Sequence, residues 1–234
     1  KAPQSAQMHV LLGRVLVSAG DTAGARRAFE TACALNERLS APQIALAEMD
    51  ARAGALEAAR QRLTKLAASN PRDSEALIAL ALMEERSGRH AEAIAGYRKA
   101  LDVDPSSAVA ANNLAYLLVD FAGSIDEGLK YAQDAKRLAP SNTAVDDTLG
   151  WALYHKGLYA AAVQHLETAA AAGGAVCKYH LAMAYFRAGE KTRARATLDA
   201  ALRLDPNVPE AKMARELIAG AEASSSLSGA RLPR

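Results

Sequence analysis

The chain has 234 residues, 50% of them hydrophobic, with 28 basic and 26 acidic side chains and a formal charge of +2. The two halves match, 14 basic and 13 acidic groups in each of residues 1–107 and 108–234, so no basic stripe is available to neutralise phosphates and a nucleic-acid partner is disfavoured. No apolar run reaches the roughly 20 residues of a membrane span and no signal-peptide core is present, which argues against membrane insertion. The chain opens on Lys1 rather than methionine and reads as a fragment or a processed form, so the missing targeting signal carries no information.

Six glycines (Gly20, Gly54, Gly88, Gly123, Gly157 and Gly189) follow one another at steps of 34, 34, 35, 34 and 32 residues. A period of this size marks stacked supersecondary units that cannot bury their apolar faces alone. In chain order the units are 6–39, 40–73, 74–107, 108–142, 143–174 and 175–208, each predicted as helix A, a turn at the glycine, and helix B. Five residues after each glycine comes a small residue: Ala25, Ala59, Ala93, Gly128, Ala162 and Ala194. A second small position in helix A, Gly13, Ala47, Ala81, Ala115, Gly150 and Ala182, follows Leu12, Leu46, Leu80, Leu114, Leu149 and Leu181. Small residues let two helices approach closely, and the leucines supply buried area. Pro71, Pro105, Pro140 and Pro206 close four units, where a ring without an N–H is tolerated past a helix end.

Leu-small, turn glycine, Ala-bulky-Ala and final Pro resemble the tetratricopeptide repeat (TPR). The third unit, LALMEERSGRHAEAIAGYRKALDVDP (80–105), matches that pattern most fully. The 35-residue RNA-reading helical repeats have a similar period but fit the small positions less well. The resemblance implies an all-α fold, a right-handed α-α superhelix of six helix-turn-helix repeats, with residues 1–222 forming a single TPR solenoid. The departures are Glu37 in place of proline, one extra residue near Gly123, and a fifth unit two residues short around Gly173-Gly174. Segment 209–221, PEAKMARELIAGA, reads as a C-terminal capping helix, with Pro209 in its first turn. Segment 223–234 has the composition of a flexible tail.

Catalytic and metal-binding signatures are missing. His9, His90, His155, His165 and His180 lie in different units or off ligand spacing, so neither a metal nor another cofactor is expected. Asp146-Asp147 and Glu84-Glu85 are adjacent pairs whose side chains diverge by about 100° on a helix, unsuited to paired acid–base work; solvated charges are expected there. Cys33 and Cys177 read as small buried hydrophobes, too far apart in a solenoid to bridge. There is no nucleophile elbow and no phosphate loop, so the chain is not expected to be an enzyme.

The resemblance also implies where binding occurs. In TPR proteins the second, fifth, ninth, twelfth and thirteenth positions of helix A line the concave face. In the first three units these include Gln7, Val10, Arg14, Ser18, Ile44, Glu48, Arg52, Glu75, Ile78, Leu82, Glu85 and Arg86, a mixed and charged set. In the last three, five of the eleven aromatics converge: Tyr116, Trp151, Tyr154, Tyr179 and Phe186. With Asn112, Asn113, Asp147 and Met183 they form the candidate peptide-binding groove, since Tyr and Trp dominate binding hot spots and a side-chain amide can pair with a peptide main chain. The same rings could instead serve as core between units. The carboxylate clamp of chaperone-binding TPR domains is not formed, because the paired positions hold Val10 and Arg14, Ile44 and Glu48, Ile78 and Leu82, and Asn112 and Tyr116.

Residues 108–204, with NNLAYLLVD (112–120) and YHLAMAYFRAG (179–189), are similar to C-terminal repeats of bacterial TPR proteins of cell-envelope polysaccharide and exosortase (PEP-CTERM type) export. That implies a bacterial scaffold binding a protein or peptide partner, with periplasm or cell envelope favoured over cytoplasm. Two other readings stand beside it. One is a self-assembling structural module, a homo-oligomer joined through solenoid ends by apolar Val10, Leu11, Val15 and Leu16. The other is a regulatory segment of a larger enzyme such as a glycosyltransferase.

Overall fold

Each of the six repeat glycines has a left-handed backbone, with φ between 64° and 85°. Only a residue without Cβ adopts that conformation at no steric cost, so the glycine ends helix A and reverses the chain. The following residue then donates back across the turn: Asp21 N to Leu16 O, Ala55 N to Asp50 O, Arg89 N to Glu84 O and Leu158 N to Leu153 O are all 2.9 Å. The extra residue of the fourth unit widens its turn, where Ser124 N reaches Leu118 O at 2.8 Å.

The computed structural model describes residues 5–208 and Ala214, and among them it contains twelve α-helices and no strand. The A helices are α1 (Ala6–Ser18), α3 (Ser40–Arg52), α5 (Ser74–Arg86), α7 (Ala108–Asp120), α9 (Thr143–His155) and α11 (Ala175–Arg187). The B helices are α2 (Thr22–Leu35), α4 (Leu56–Ser69), α6 (His90–Val103), α8 (Ile125–Leu138), α10 (Tyr159–Ala172) and α12 (Lys191–Leu204). Side-chain caps hold several N-termini, with Asp21 accepting from Gly24 N at 2.8 Å, Asp73 from Ala76 N at 3.1 Å and Asn142 from Ala144 N at 3.0 Å.

The helices group into two compact units, Lys1–Ala110 and Ala111–Arg234, dividing near the border between the third and fourth repeats. In the first, α1 packs on α2, α3 on α4 and α5 on α6, while α2 and α4 also pack on the A helix that follows. In the second, α9 pairs with α10 and α11 with α12, and α8–α9 and α10–α11 join successive repeats. Both small positions lie at these contacts: Ala25, Ala47, Ala59, Ala81, Ala93, Ala115, Ala162, Ala182 and Ala194 are fully buried. A Cβ on Gly13 would come within 2.5 Å of the Phe29 ring, and one on Gly150 within 2.5 Å of Leu166 Cγ. At this density a single methyl group is felt by its neighbours.

The core of the second unit runs continuously through Val119, Leu149, Trp151, Leu166, Tyr185 and Leu198 to Val208 and Ala214. Ala214 is helical and 4% exposed, the one described residue of the expected capping helix 209–221, whose other residues and the tail 223–234 lie outside the described part. On α1 the expected exposed apolar set is only half realised. Leu11 and Val15 are 57% and 64% exposed, whereas Val10 and Leu16 pack on the cluster of Phe29, Leu46 and Met49.

Two of the charges expected to be solvated are instead buried. Asp146 is 3% exposed because it joins three successive helices: Lys136 Nζ of α8 donates to its Oδ2 at 2.8 Å, and His165 Nδ1 of α10 lies 2.9 Å from its Oδ1. Glu84 is 8% exposed, hydrogen-bonded by Arg89, with Arg60 at 4.0 Å. A carboxylate tolerates this burial only when cations and donors replace its water. The neighbouring Glu85 accepts from Tyr97 O–H at 2.9 Å, which satisfies the hydroxyl of a fully buried ring.

Candidate functional site

The A-helix face of the second unit is organised around Trp151. Its ring stacks on Tyr154 one turn along α9 (centroids 4.8 Å apart, planes 1° apart) and on His180 of α11 (4.1 Å, 18°). His155 meets it edge-on at 4.6 Å and Tyr179 lies tilted at 6.2 Å. The indole Nε1–H donates to Asp120 Oδ1 of α7 at 2.7 Å, and His180 Nδ1 lies 3.1 Å from both oxygens of Asp147. Three A helices are thus tied together by one indole, two imidazoles and two carboxylates.

This arrangement corrects the expected role of two rings. Trp151 and Tyr179 are each 7% exposed and belong to the core, because α7, α9 and α11 close over them. Tyr116, Tyr154, Met183 and Phe186 are half-buried and pack against that core with one side, while Asn112, Asn113 and Asp147 are also half-buried. Tyr116 further meets Phe121 edge-on at 6.1 Å. Of the expected groove only the rim is therefore open to solvent, with Trp151 and Tyr179 buried beneath it. His180 and Asp120 were not anticipated. The available signal is the repeat itself, since Asp147 and His180 are 33 residues apart, and Asp120 and Trp151 are 31 apart, about one unit in each case.

Asn112 carries an unmet demand. Its Nδ2 donates to Asn113 Oδ1 at 3.4 Å, but its buried Oδ1 accepts no hydrogen bond. Buried amide oxygens nearly always have a partner.

In the first unit the expected groove positions Arg14, Ser18, Ile44, Glu48, Arg52 and Glu75 do converge, lining a hollow of about 420 Å³ between α1, α3 and α5. Apolar Val17, Phe29 and Met49 contribute to the same wall.

Both cysteines are free thiols. Burial, and after it the charge and hydrogen bond of Asp147, push the Cys177 thiol up to about 11. At pH 8 this leaves about a thousandth of it as thiolate, so alkylation by iodoacetamide is expected to be on the order of a hundredfold slower than for an ordinary cysteine. Asp147→Asn should speed it, and a wild-type Cys177 rate, read by peptide mass spectrometry, equal to that of a free thiol would contradict the assignment. Among the described residues no group of three or more His, Cys, Asp or Glu could hold a metal ion, and no helix is long and apolar enough to cross a membrane.

Paired antiparallel helices of 13 and 14 residues, a left-handed glycine at each turn and alanines at each crossing define the class: this is a tetratricopeptide-repeat protein. The comparisons agree. Residues 1–108 match the family described as the cytochrome c-type biogenesis protein H TPR domain, and residues 153–218 match a tetratricopeptide-repeat family. Among curated proteins none matches the sequence. Among solved structures, the chain resembles one from the APC/C hetero-tetramer Cut9-Hcn1, at 17% identity and a TM-score of 0.78. The match covers 93% of this chain but 44% of that one, so the chain spans under half of that relative's length. Pseudomonas aeruginosa pilF is similar at 19% identity and a TM-score of 0.74, over 89% of this chain and 95% of that one. YrrB, described as a TPR protein with an unusual peptide-binding site, is similar at 21% identity and a TM-score of 0.60, over 80% and 97%. At these identities the likeness is one of fold.

Proposed function

We propose that the chain is a non-catalytic protein-binding scaffold that holds an extended segment of a partner against the A-helix face of its second unit. The half-buried rings of Tyr116, Tyr154 and Phe186, each backed on one side by the core, carry this reading, and the side-chain amides of Asn112 and Asn113 stand on the same helix as Tyr116, suited to a partner's main chain. Trp151 and Tyr179 hold those rings in place rather than touching the partner. The test is a displayed peptide library selected on the wild-type chain. Asn112→Ala combined with Phe186→Ala should weaken the selected peptides about tenfold or more while circular dichroism is unchanged. Unchanged affinity would end the proposal.

The match of residues 1–108 to a cytochrome c-type biogenesis TPR domain favours a place in a bacterial envelope assembly of that kind, and with it a periplasmic location. No comparison supports the expected link of residues 108–204 to polysaccharide or exosortase export.

One observation favours self-association as a second reading. Leu12 and Val15 of α1 are 47% and 64% exposed, whereas their counterparts one repeat on, Leu46 and Met49, are 1% and 9% exposed beneath α2. A second copy's α1 would cover this face, and a mass that doubles with concentration in light scattering, but not in Val15→Glu, is the expected result. A concentration-independent monomer mass would remove the reading.

A further inference from the structure

An A helix in this fold packs on its own B helix and also on the B helix in front of it, as α3 does on α2, α5 on α4, α9 on α8 and α11 on α10. The tenth residue of the A helix is covered every time: Met49, Met83, Leu117, Ala152 and Ala184 are all buried. Val15 holds that place in α1 and is exposed, with Met8, Leu11 and Leu12 exposed beside it. Their spacing of i, i+3, i+4 and i+7 draws one unbroken apolar stripe along the helix. It is bare because, among the described residues, no helix stands in front of α1. Arg14 is the only charged side chain of α1 besides His9, so nothing polar interrupts the stripe.

A second copy cannot cover the stripe with its last B helix. Leu198 and Ala201 of α12 are as buried as Leu166 and Ala169, their counterparts in α10, which has α11 on its far side. Val208 and Ala214 do for α12 what α11 does for α10, since both are buried and belong to the same core. The α12 of one chain is therefore closed to the α1 of another. Head-to-tail growth into a fibre needs that contact, whereas a two-fold contact uses the same patch of both chains and needs only α1.

Resting on the self-association reading, we propose that α1 of one copy lies antiparallel on α1 of a second and that the assembly closes at two chains. A stripe running from i to i+7 is symmetric about its middle. A two-fold axis passing between Leu11 and Leu12 then seats each Met8 against the second copy's Val15, a long side chain against a short one. Antiparallel pairing also brings opposite ends of the two helix dipoles together, where a parallel pair would set like ends side by side. One helix pair falls at the small end of stable interfaces, so half-association is expected between roughly 10 and 500 μM.

The test is sedimentation equilibrium of the full chain up to 1 mM, joined to disulfide trapping in a Cys33→Ser, Cys177→Ser background. Mass should double and go no further, and Met8→Glu should raise the half-association concentration about tenfold or more. A disulfide forms only where Cβ atoms come within about 4.5 Å. Leu12→Cys, beside the axis, should therefore link to itself under copper-phenanthroline oxidation. Met8→Cys and Val15→Cys should each fail alone and link when the two chains are mixed. Mass growing beyond two chains would overturn closure, and linking of Met8→Cys to itself would overturn the antiparallel arrangement, while both leave self-association standing. A dimer indifferent to Met8→Glu would place the contact elsewhere and overturn the proposal. A monomer at 1 mM would remove self-association and this contact together. If that monomer instead bound a fluorescein-labelled peptide of residues 22–35, the sequence of the helix that covers α3, the stripe would belong to a helix of another protein.

Discussion

Trp151→Ala is expected to destabilise the second unit by about 3–5 kcal/mol, the range for truncating a buried large aromatic. The indole stacks between Tyr154 and His180, and its N–H is satisfied by Asp120, so alanine leaves a cavity and removes the hydrogen bond that ties α9 to α7. Domains of this size are stable by only about 5–15 kcal/mol in total. The guanidinium midpoint read by circular dichroism should therefore fall sharply, with the steps of the two units separating. Trp151→Phe keeps the stack but forfeits the hydrogen bond, and should cost about 1–2 kcal/mol from that loss. A wild-type midpoint for Trp151→Ala would mean that the indole is a surface group, and the groove would then regain its two central rings.

Asp146→Ala should be the most damaging change of a charged residue, at about 2–4 kcal/mol. The loss is asymmetric, because Lys136 and His165 remain facing one another after their shared carboxylate has gone. Trp151 is the chain's only tryptophan and belongs to the same core, so its fluorescence reports the unfolding of this unit directly. Asp146→Asn retains the shape and one acceptor and should cost less than alanine. Equal costs would show that shape, rather than the ion pair, holds α8, α9 and α10 together.

The repeat was legible because its requirements are local. A left-handed turn needs glycine at Gly20 or Gly157, and a close helix crossing needs alanine at Ala47 or Ala182, so steric necessity prints the period into the chain. The A-helix register was legible for the same reason, and it placed Arg14, Ile44, Glu48 and Arg52 around one hollow. Less could be read of the candidate site. Periodicity says which side of α9 carries Trp151 and Asp147, but not how far α11 overlaps that side.

The sequence by itself determined the helices, their pairing within each repeat and the small residues at every crossing, since each depends on neighbours fewer than about twenty residues apart. Tertiary structure alone decided that Trp151 and Tyr179 are floor rather than surface and that Asp146 is a buried junction. These depend on how closely one repeat lies on the next, and that spacing is the balance of many side-chain contacts across the stack, with no single residue to announce it.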